Sequence, residues 1–375
     1  MKKVIIFYGS YGGGHLSAAR SIKENILENY KDAEVEMWDC IEYINKILNK
    51  LTTKAYSDMS KNAHWMWKQI YYGADSGPLS KLSNAVNRIM AIKLNKLIKS
   101  FNPDYIISTH PFSSQMCALL KKKEKINCKL ATVLTDYAPH NQWIVHHEYV
   151  DYYFVAHDGM KEILQNSGIE ENKIFATGIP LSNRFLLHYD KEGTLKEFGL
   201  EPNKTTILFF AGGEYGFGKD KTFNILRTLI EKFENLQIVA IAGKNEKMKE
   251  RFEELVEVEN AKENVKILAY TNKVPELMSI SDIVISKPGG LTTTESLASG
   301  LPIIVINPIP GQEEENAEFI EKHNVGIWIR KKDDVEEKLK EILLSNEKIK
   351  EMKINARLLA KKNSSNDICK IVLGE

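Results

Sequence analysis

Short runs of β-branched and aromatic residues recur along this chain, each followed by a stretch long enough for a helix. That alternation restricts the fold more than any other feature. Six runs fall in the first half, at Val4–Tyr8, Ala33–Trp38, Tyr105–Ser108, Lys129–Leu134, Tyr152–Ala156 and Lys173–Ala176. Six more follow at Thr206–Phe210, Gln237–Ala242, Val265–Ala269, Asp282–Ser286, Pro302–Ile306 and Gly326–Ile329. Strands that read as continuous apolar runs are covered by helices on both faces, as in a parallel sheet. Helices are predicted at Ser17–Asn29, Lys221–Phe233, Val274–Ser279, Thr292–Ser299 and Glu314–Lys322, with one or two amphipathic helices over Val335–Lys362. The economical topology is α/β, with two doubly wound, Rossmann-like parallel-sheet domains.

A chain of 375 residues is too long for one ordinary core, so two domains also follow from length. Pro180, Gly193, Gly199 and Pro202 mark a boundary near residue 185. The expected domains are 1–185 and 186–354, with a helix over about 355–375 packing back on the first. Two such domains in tandem predict a cleft, with ligands at the C-terminal ends of the strands.

Glycine-rich turns stand at those ends. The first, Gly9-Ser10-Tyr11-Gly12-Gly13-Gly14-His15, links a strand to a helix. Its glycines let backbone approach a ligand, and the helix start offers unpaired N–H groups to an anion. It is neither a P-loop nor a dinucleotide fingerprint. His15 is a candidate proton acceptor; the plainer reading is a helix-capping histidine.

The second, Ser286-Lys287-Pro288-Gly289-Gly290-Leu291-Thr292-Thr293-Thr294-Glu295, has the same strand-to-helix form. Gly289 and Gly290 allow close phosphate approach. Glu295 can accept two hydrogen bonds from a ribose diol, or can simply be a first-turn acid that complements the helix dipole. The third loop, Asn307 to Asn316, is rich in groups that suit a sugar, although its three adjacent acids also fit a solvated helix start. The fourth, Ala211 to Gly218, places Gly212 and Gly213 after the first strand of the second half. Three such loops at successive strand ends of one domain predict a nucleotide site.

Lys+Arg 51 against Asp+Glu 50 leaves a net charge of +1, so no global basic field points to nucleic acid. Cys40, Cys117, Cys128 and Cys369 lie far apart without a CxxC pair, and read as free thiols in a reducing compartment. No stretch approaches the ~18–20 apolar residues of a membrane span. The start, MKKVIIFYGS, fits a first buried strand better than a signal peptide.

The segments GSYGGGHLSAA, TDYAPHNQWIVHHEYVDYYFVA, TGIP and KPGGLTTTESLASGLPIIVINPIPGQEEENA, in this order, resemble those of the monogalactosyldiacylglycerol synthase and processive diacylglycerol glucosyltransferase family, of family 28 type. The resemblance covers nearly the whole chain. It implies a GT-B glycosyltransferase, inverting and metal-independent, with no cofactor, that moves glucose or galactose from a UDP-sugar to diacylglycerol. The second domain would bind the donor and the first the lipid acceptor. By position, Glu295 matches the ribose-binding acid, and Gly289, Gly290, Leu291 and Thr292 match the phosphate loop. Gln312, Glu313 and Asn316 fall where the family contacts the donor sugar, and Thr271 to Val274 beside the uracil. Gly14, with Gly212 and Gly213, would face the donor phosphates, and His15 matches a histidine implicated in catalysis. Asp136 is a second candidate base.

Diacylglycerol stays in a bilayer, so a cytoplasmic enzyme would work peripherally at the inner face of the cell membrane, on an anionic surface. Trp65, Trp67, Tyr71 and Tyr72 are the candidate docking side chains, because such rings favour the headgroup interface. The alternative is an aromatic stripe in the core. Rival functions are transfer to a polyprenyl-linked cell-wall acceptor, epimerisation of a UDP-sugar, and non-catalytic UDP-sugar sensing.

Overall fold

The computed structural model describes residues 1–9, 13–44, 91, 93–211 and 219–374. Two compact units emerge. One comprises Met1–Asn183 with Lys361–Glu375, the other Arg184–Ala360.

The first unit holds β1 (Lys2–Tyr8), β2 (Ala33–Asp39), β3 (Tyr105–Ser108), β4 (Lys129–Val133), β5 (Tyr152–Phe154) and β6 (Ile174–Phe175). They form one sheet in the order β2-β1-β3-β4-β5-β6, every pair parallel. Val4, Ile5, Ile6 and Phe7 are all fully buried, as a strand covered on both faces requires. Each such side chain contributes about 1.5–3 kcal/mol by leaving water. Val4 and Ile6 pack with Ala19, Ile22 and Ile26 of the helix Gly14–Asn29.

The final helix, Ser364–Leu373, joins this core through Ile368, Cys369, Val372 and Leu373. Ser364 Oγ donates to the Ile179 carbonyl at 2.7 Å and Ser365 Oγ to that of Leu181 at 3.2 Å. The end of the chain is thus stitched to the segment that leaves the sheet.

The second unit holds β7 (Thr205–Phe210), β8 (Leu236–Gly243), β9 (Val265–Ala269), β10 (Ile283–Ser286), β11 (Ile303–Val305) and β12 (Gly326–Trp328). Their order is β12-β11-β10-β7-β8-β9, again all parallel. Alternation shows the two covered faces. Ile207, Phe209, Ala240 and Ile285 pack with Ile225, Leu229 and Phe252 on one side; Leu208, Val239 and Val284 pack with Leu277 and Met278 on the other. Gly326 is dictated by contact, since a Cβ there would lie 1.9 Å from the Ile303 carbonyl oxygen.

Four helices begin two or three residues earlier than expected, at Gly14, Lys219, Gly290 and Gln312, and at Gly14 and Gly290 the glycines hide the boundary from propensity. The stretch 335–362 divides into Val335–Leu343 and Asn346–Leu359, and Ser345 caps the second by accepting from Lys348 N at 3.3 Å. Each sheet has a point where neighbouring strands send their connections to opposite sides, between β1 and β3 and between β7 and β10. Loops diverge there and leave a crevice at the strand ends.

Candidate functional site

In the second unit, the loop after β10 lies at such a point. Gly289 caps the helix Gly290–Ser299 without any side-chain acceptor, so the first-turn N–H groups of Gly290, Leu291 and Thr292 have no side-chain cap. A Cβ at Gly289 would meet only Glu313 Oε1, at 3.9 Å, so the loop surface is open to a ligand. Glu295 sits on the second turn of this helix, past the region where a first-turn acid complements the dipole. It has no hydrogen bond or ion pair among the described residues, and burial pushes its carboxyl up to about 8. A half-buried carboxyl without a protein partner is suited to take hydroxyl donors from a ligand.

The loop after β11 adjoins it. Glu313 Oε2 accepts from Ile309 N at 2.6 Å. Burial raises its carboxyl, opposed by the nearby Lys287 ammonium, and burial lowers Lys287 in turn. Gln312 opens the helix Gln312–Lys322. Asn316 is fully buried, and its Nδ2 donates to the Pro288 carbonyl at 2.9 Å, which ties this helix to the loop after β10. Thr271 Oγ1 accepts from Lys273 N at 3.1 Å, and Val274 begins the helix Val274–Ile280, which packs on Gly290–Ser299. The expected Gly212 and Gly213, like Trp65, Trp67, Tyr71 and Tyr72, lie outside the described residues.

In the first unit, Gly13 caps the helix Gly14–Asn29 with no side-chain acceptor, and His15 is its second residue. His15 Nδ1 lies 2.5 Å from the Thr109 carbonyl oxygen and 3.0 Å from Thr135 Oγ1. Thr109 Oγ1 donates to the His15 carbonyl at 2.9 Å. A carbonyl only accepts, so Nδ1 carries the proton and Nε2 keeps its lone pair. No described residue pairs with that Nε2. Burial lowers the His15 imidazole to about 4, against the pull of the Thr109 bond, so it is neutral near pH 7.

The His110 ring stands 4.7 Å from that of His15, and Trp143 at 6.5 Å. His140 lies 5.8 Å from Trp143 and is likewise held at about 4, by burial first and the His15 charge second. Asp136 is buried and has a partner; it follows the threonine that touches His15.

Sequence reasoning missed Thr109, His110, Thr135, His140 and Trp143. The available signal was Ser108-Thr109-His110-Pro111, a strand end running into a helix with proline in its first turn, but nothing local says that β3 lies beside β1. Among the described residues, no three His, Cys, Asp or Glu side chains group as metal ligands.

Two parallel six-stranded sheets, each with crevice loops at its strand ends, make up the GT-B fold. Over its whole length the chain matches MurG of Acinetobacter baumannii, with 14% identity, a TM-score of 0.67 and 100% of both chains covered. WaaG, a glycosyltransferase involved in lipopolysaccharide biosynthesis, matches at 14% identity and TM-score 0.54, also with both chains fully covered. A UDP-GlcNAc 2-epimerase from Neisseria meningitidis shares the fold at 16% identity, TM-score 0.66 and full coverage of both chains.

Sequence is more specific. Residues 15–181 match the family described as monogalactosyldiacylglycerol (MGDG) synthase, and residues 208–370 match the glycosyltransferase family 28 C-terminal domain. The processive diacylglycerol beta-glucosyltransferase of Bacillus subtilis (strain 168) is 31% identical over 100% of this chain and 95% of its own length. That of Bacillus pumilus (strain SAFR-032) is 31% identical over 98% and 93%. The chain belongs to the monogalactosyldiacylglycerol synthase and processive diacylglycerol glucosyltransferase family, and it is a glycosyltransferase.

Proposed function

We propose that this enzyme transfers a hexose from UDP-glucose or UDP-galactose to diacylglycerol, with inversion, at a membrane surface. The observation that carries the donor half is Glu295, partnerless beside an uncapped helix start. The open N–H groups of Gly290, Leu291 and Thr292 suit a diphosphate, and Glu295 suits the ribose diol. The relatives named above support diacylglycerol as acceptor.

The acceptor hydroxyl attacks the anomeric carbon. The bond from that carbon to the phosphate oxygen breaks, and its electron pair leaves with UDP. The hydroxyl proton passes to His15 Nε2, whose lone pair is kept available because Nδ1 is tied to Thr109. Backbone N–H groups stabilise the charge that grows on the diphosphate, so the step is proposed to need neither metal nor cofactor. Among the described residues no helix is long and apolar enough to cross a membrane, and the enzyme is proposed to act as a peripheral protein.

The test is UDP release with thin-layer analysis of lipids, on diacylglycerol vesicles with EDTA, for each UDP-sugar in turn. A new glycolipid supports the reading and names the sugar. UDP-sugar interconversion without acceptor, or transfer only to a polyprenyl-linked acceptor, overturns it.

A further inference from the structure

We propose that His110 is a positioning residue that sets the basicity of His15, the two imidazoles forming a pair locked in opposite tautomers. The proposal deepens the transferase reading and rests on it for its kinetic consequence.

His15 presents Nδ1–H to the Thr109 carbonyl at 2.5 Å. His110 does the reverse. It is the N-cap of the helix Pro111–Lys122, and its Nδ1 accepts the Phe112 backbone N–H at 3.2 Å. That cap demands a lone pair on Nδ1, so the proton of neutral His110 sits on Nε2. A proton added at Nδ1 would break the cap and put a cation at the positive end of the helix. His110 is 3% exposed, and burial, then the charges of His15 and His140, hold it well below the ordinary histidine range.

The ring is also clamped. A Cβ at Gly9 would lie 2.7 Å from His110 Cδ2 and 3.0 Å from its Nε2, so only glycine lets the end of β1 close against it. The far side meets His15 edge to face, at 4.7 Å and 69°. The titratable groups around His15 among the described residues are His110 and His140, with Asp136 following Thr135; no carboxylate forms an ion pair with it. A cap-locked neutral ring therefore fills the space where water or a counter-ion would otherwise stabilise the His15 imidazolium. The base stays neutral and gives up a captured proton readily.

Histidine ring NMR across the acidic range tests this, with the His15 signal identified by its loss in His15→Gln. In the unaltered enzyme, His15 should be the Nδ1–H tautomer and His110 the Nε2–H tautomer; any other assignment overturns the proposal. In His110→Asn, the amide oxygen can keep the cap while the ring is gone. The His15 pKa should then rise by about one unit or more, a tenfold change in proton affinity. The acid limb of kcat/KM should rise with it, with KM for the UDP-sugar unchanged.

Gly9→Ala, which displaces the ring and leaves His110 in place, should shift His15 in the same direction. An unchanged His15 titration in either folded variant overturns the proposal. If no variant, nor the unaltered enzyme, transfers sugar, the functional reading fails, while the NMR titration still decides the role of His110.

Discussion

The imidazole of His15 and the backbone carbonyl of Thr109, 94 residues apart in sequence, meet at 2.5 Å. The contact exists because β1 and β3 are hydrogen-bonded neighbours, with Phe7 opposite Ser108. Thr109 directly follows β3, and His15 is the second residue of the helix that follows β1. One hydrogen bond then fixes the ring's orientation and leaves Nε2 with the lone pair.

Replacing His15 by alanine should remove most of the turnover, by the ~10²–10⁴-fold typical of a lost general base, while UDP binding persists. Initial rates on vesicles with calorimetric titration of UDP separate the two effects. Near-normal turnover would eliminate the base.

Glu295 makes stability depend on pH. Its carboxyl is raised in the folded chain to about 8, so between the ordinary glutamate range and that value the folded state binds more protons than the unfolded one. Stability is therefore present at low pH and lost as pH rises through the folded value. Glu295→Gln should flatten this loss and weaken UDP binding. Ligand-free melting curves from mildly acidic to mildly alkaline pH provide the check, and a variant that tracks the parent at every pH would contradict it.

Asn316 ties two loops together through the Pro288 carbonyl. Asn316→Ala leaves that buried carbonyl unpaired and should cost about 1–3 kcal/mol. Denaturant unfolding would measure it, and UDP affinity should fall because the loop relaxes. Full stability with unchanged affinity would show that the bond does not shape the site.

Ile368, fully buried on the last helix, anchors the chain end to the first sheet's core. Ile368→Ala should destabilise the chain by roughly 2–5 kcal/mol. Unfolding followed by circular dichroism tests it; a loss under 1 kcal/mol, below that range, would mean the helix contributes little.

Trp65→Ala with Trp67→Ala should reduce co-sedimentation with anionic vesicles while the melting temperature holds, because interfacial rings favour the headgroup layer. Unchanged co-sedimentation would exclude these two residues from membrane docking.

Much of the fold was legible locally. Tyr105–Ser108 and Val265–Ala269 are strands over the residues that their apolar runs mark, since β-branched runs bounded by Pro, Asn or Thr leave little freedom. The strand-to-helix turn that carries Gly289, Gly290 and Glu295 was legible because it is contiguous in sequence. His110 was not, because its importance lies in a ring packed against Gly9 and His15, both about a hundred residues away. The burial of Asn316 was hidden for a similar reason: sequence shows a polar side chain in a sugar-type loop, and only packing shows that it is fully buried on Pro288.

By itself, the sequence determined the parallel α/β architecture and the glycine turns, because apolar periodicity and missing side chains act within a few residues. The tertiary structure alone decided strand order, and with it which loops adjoin, which tautomer His15 adopts and which polar groups lose water. Those are properties of contacts between distant segments, set by the packing of whole sheets.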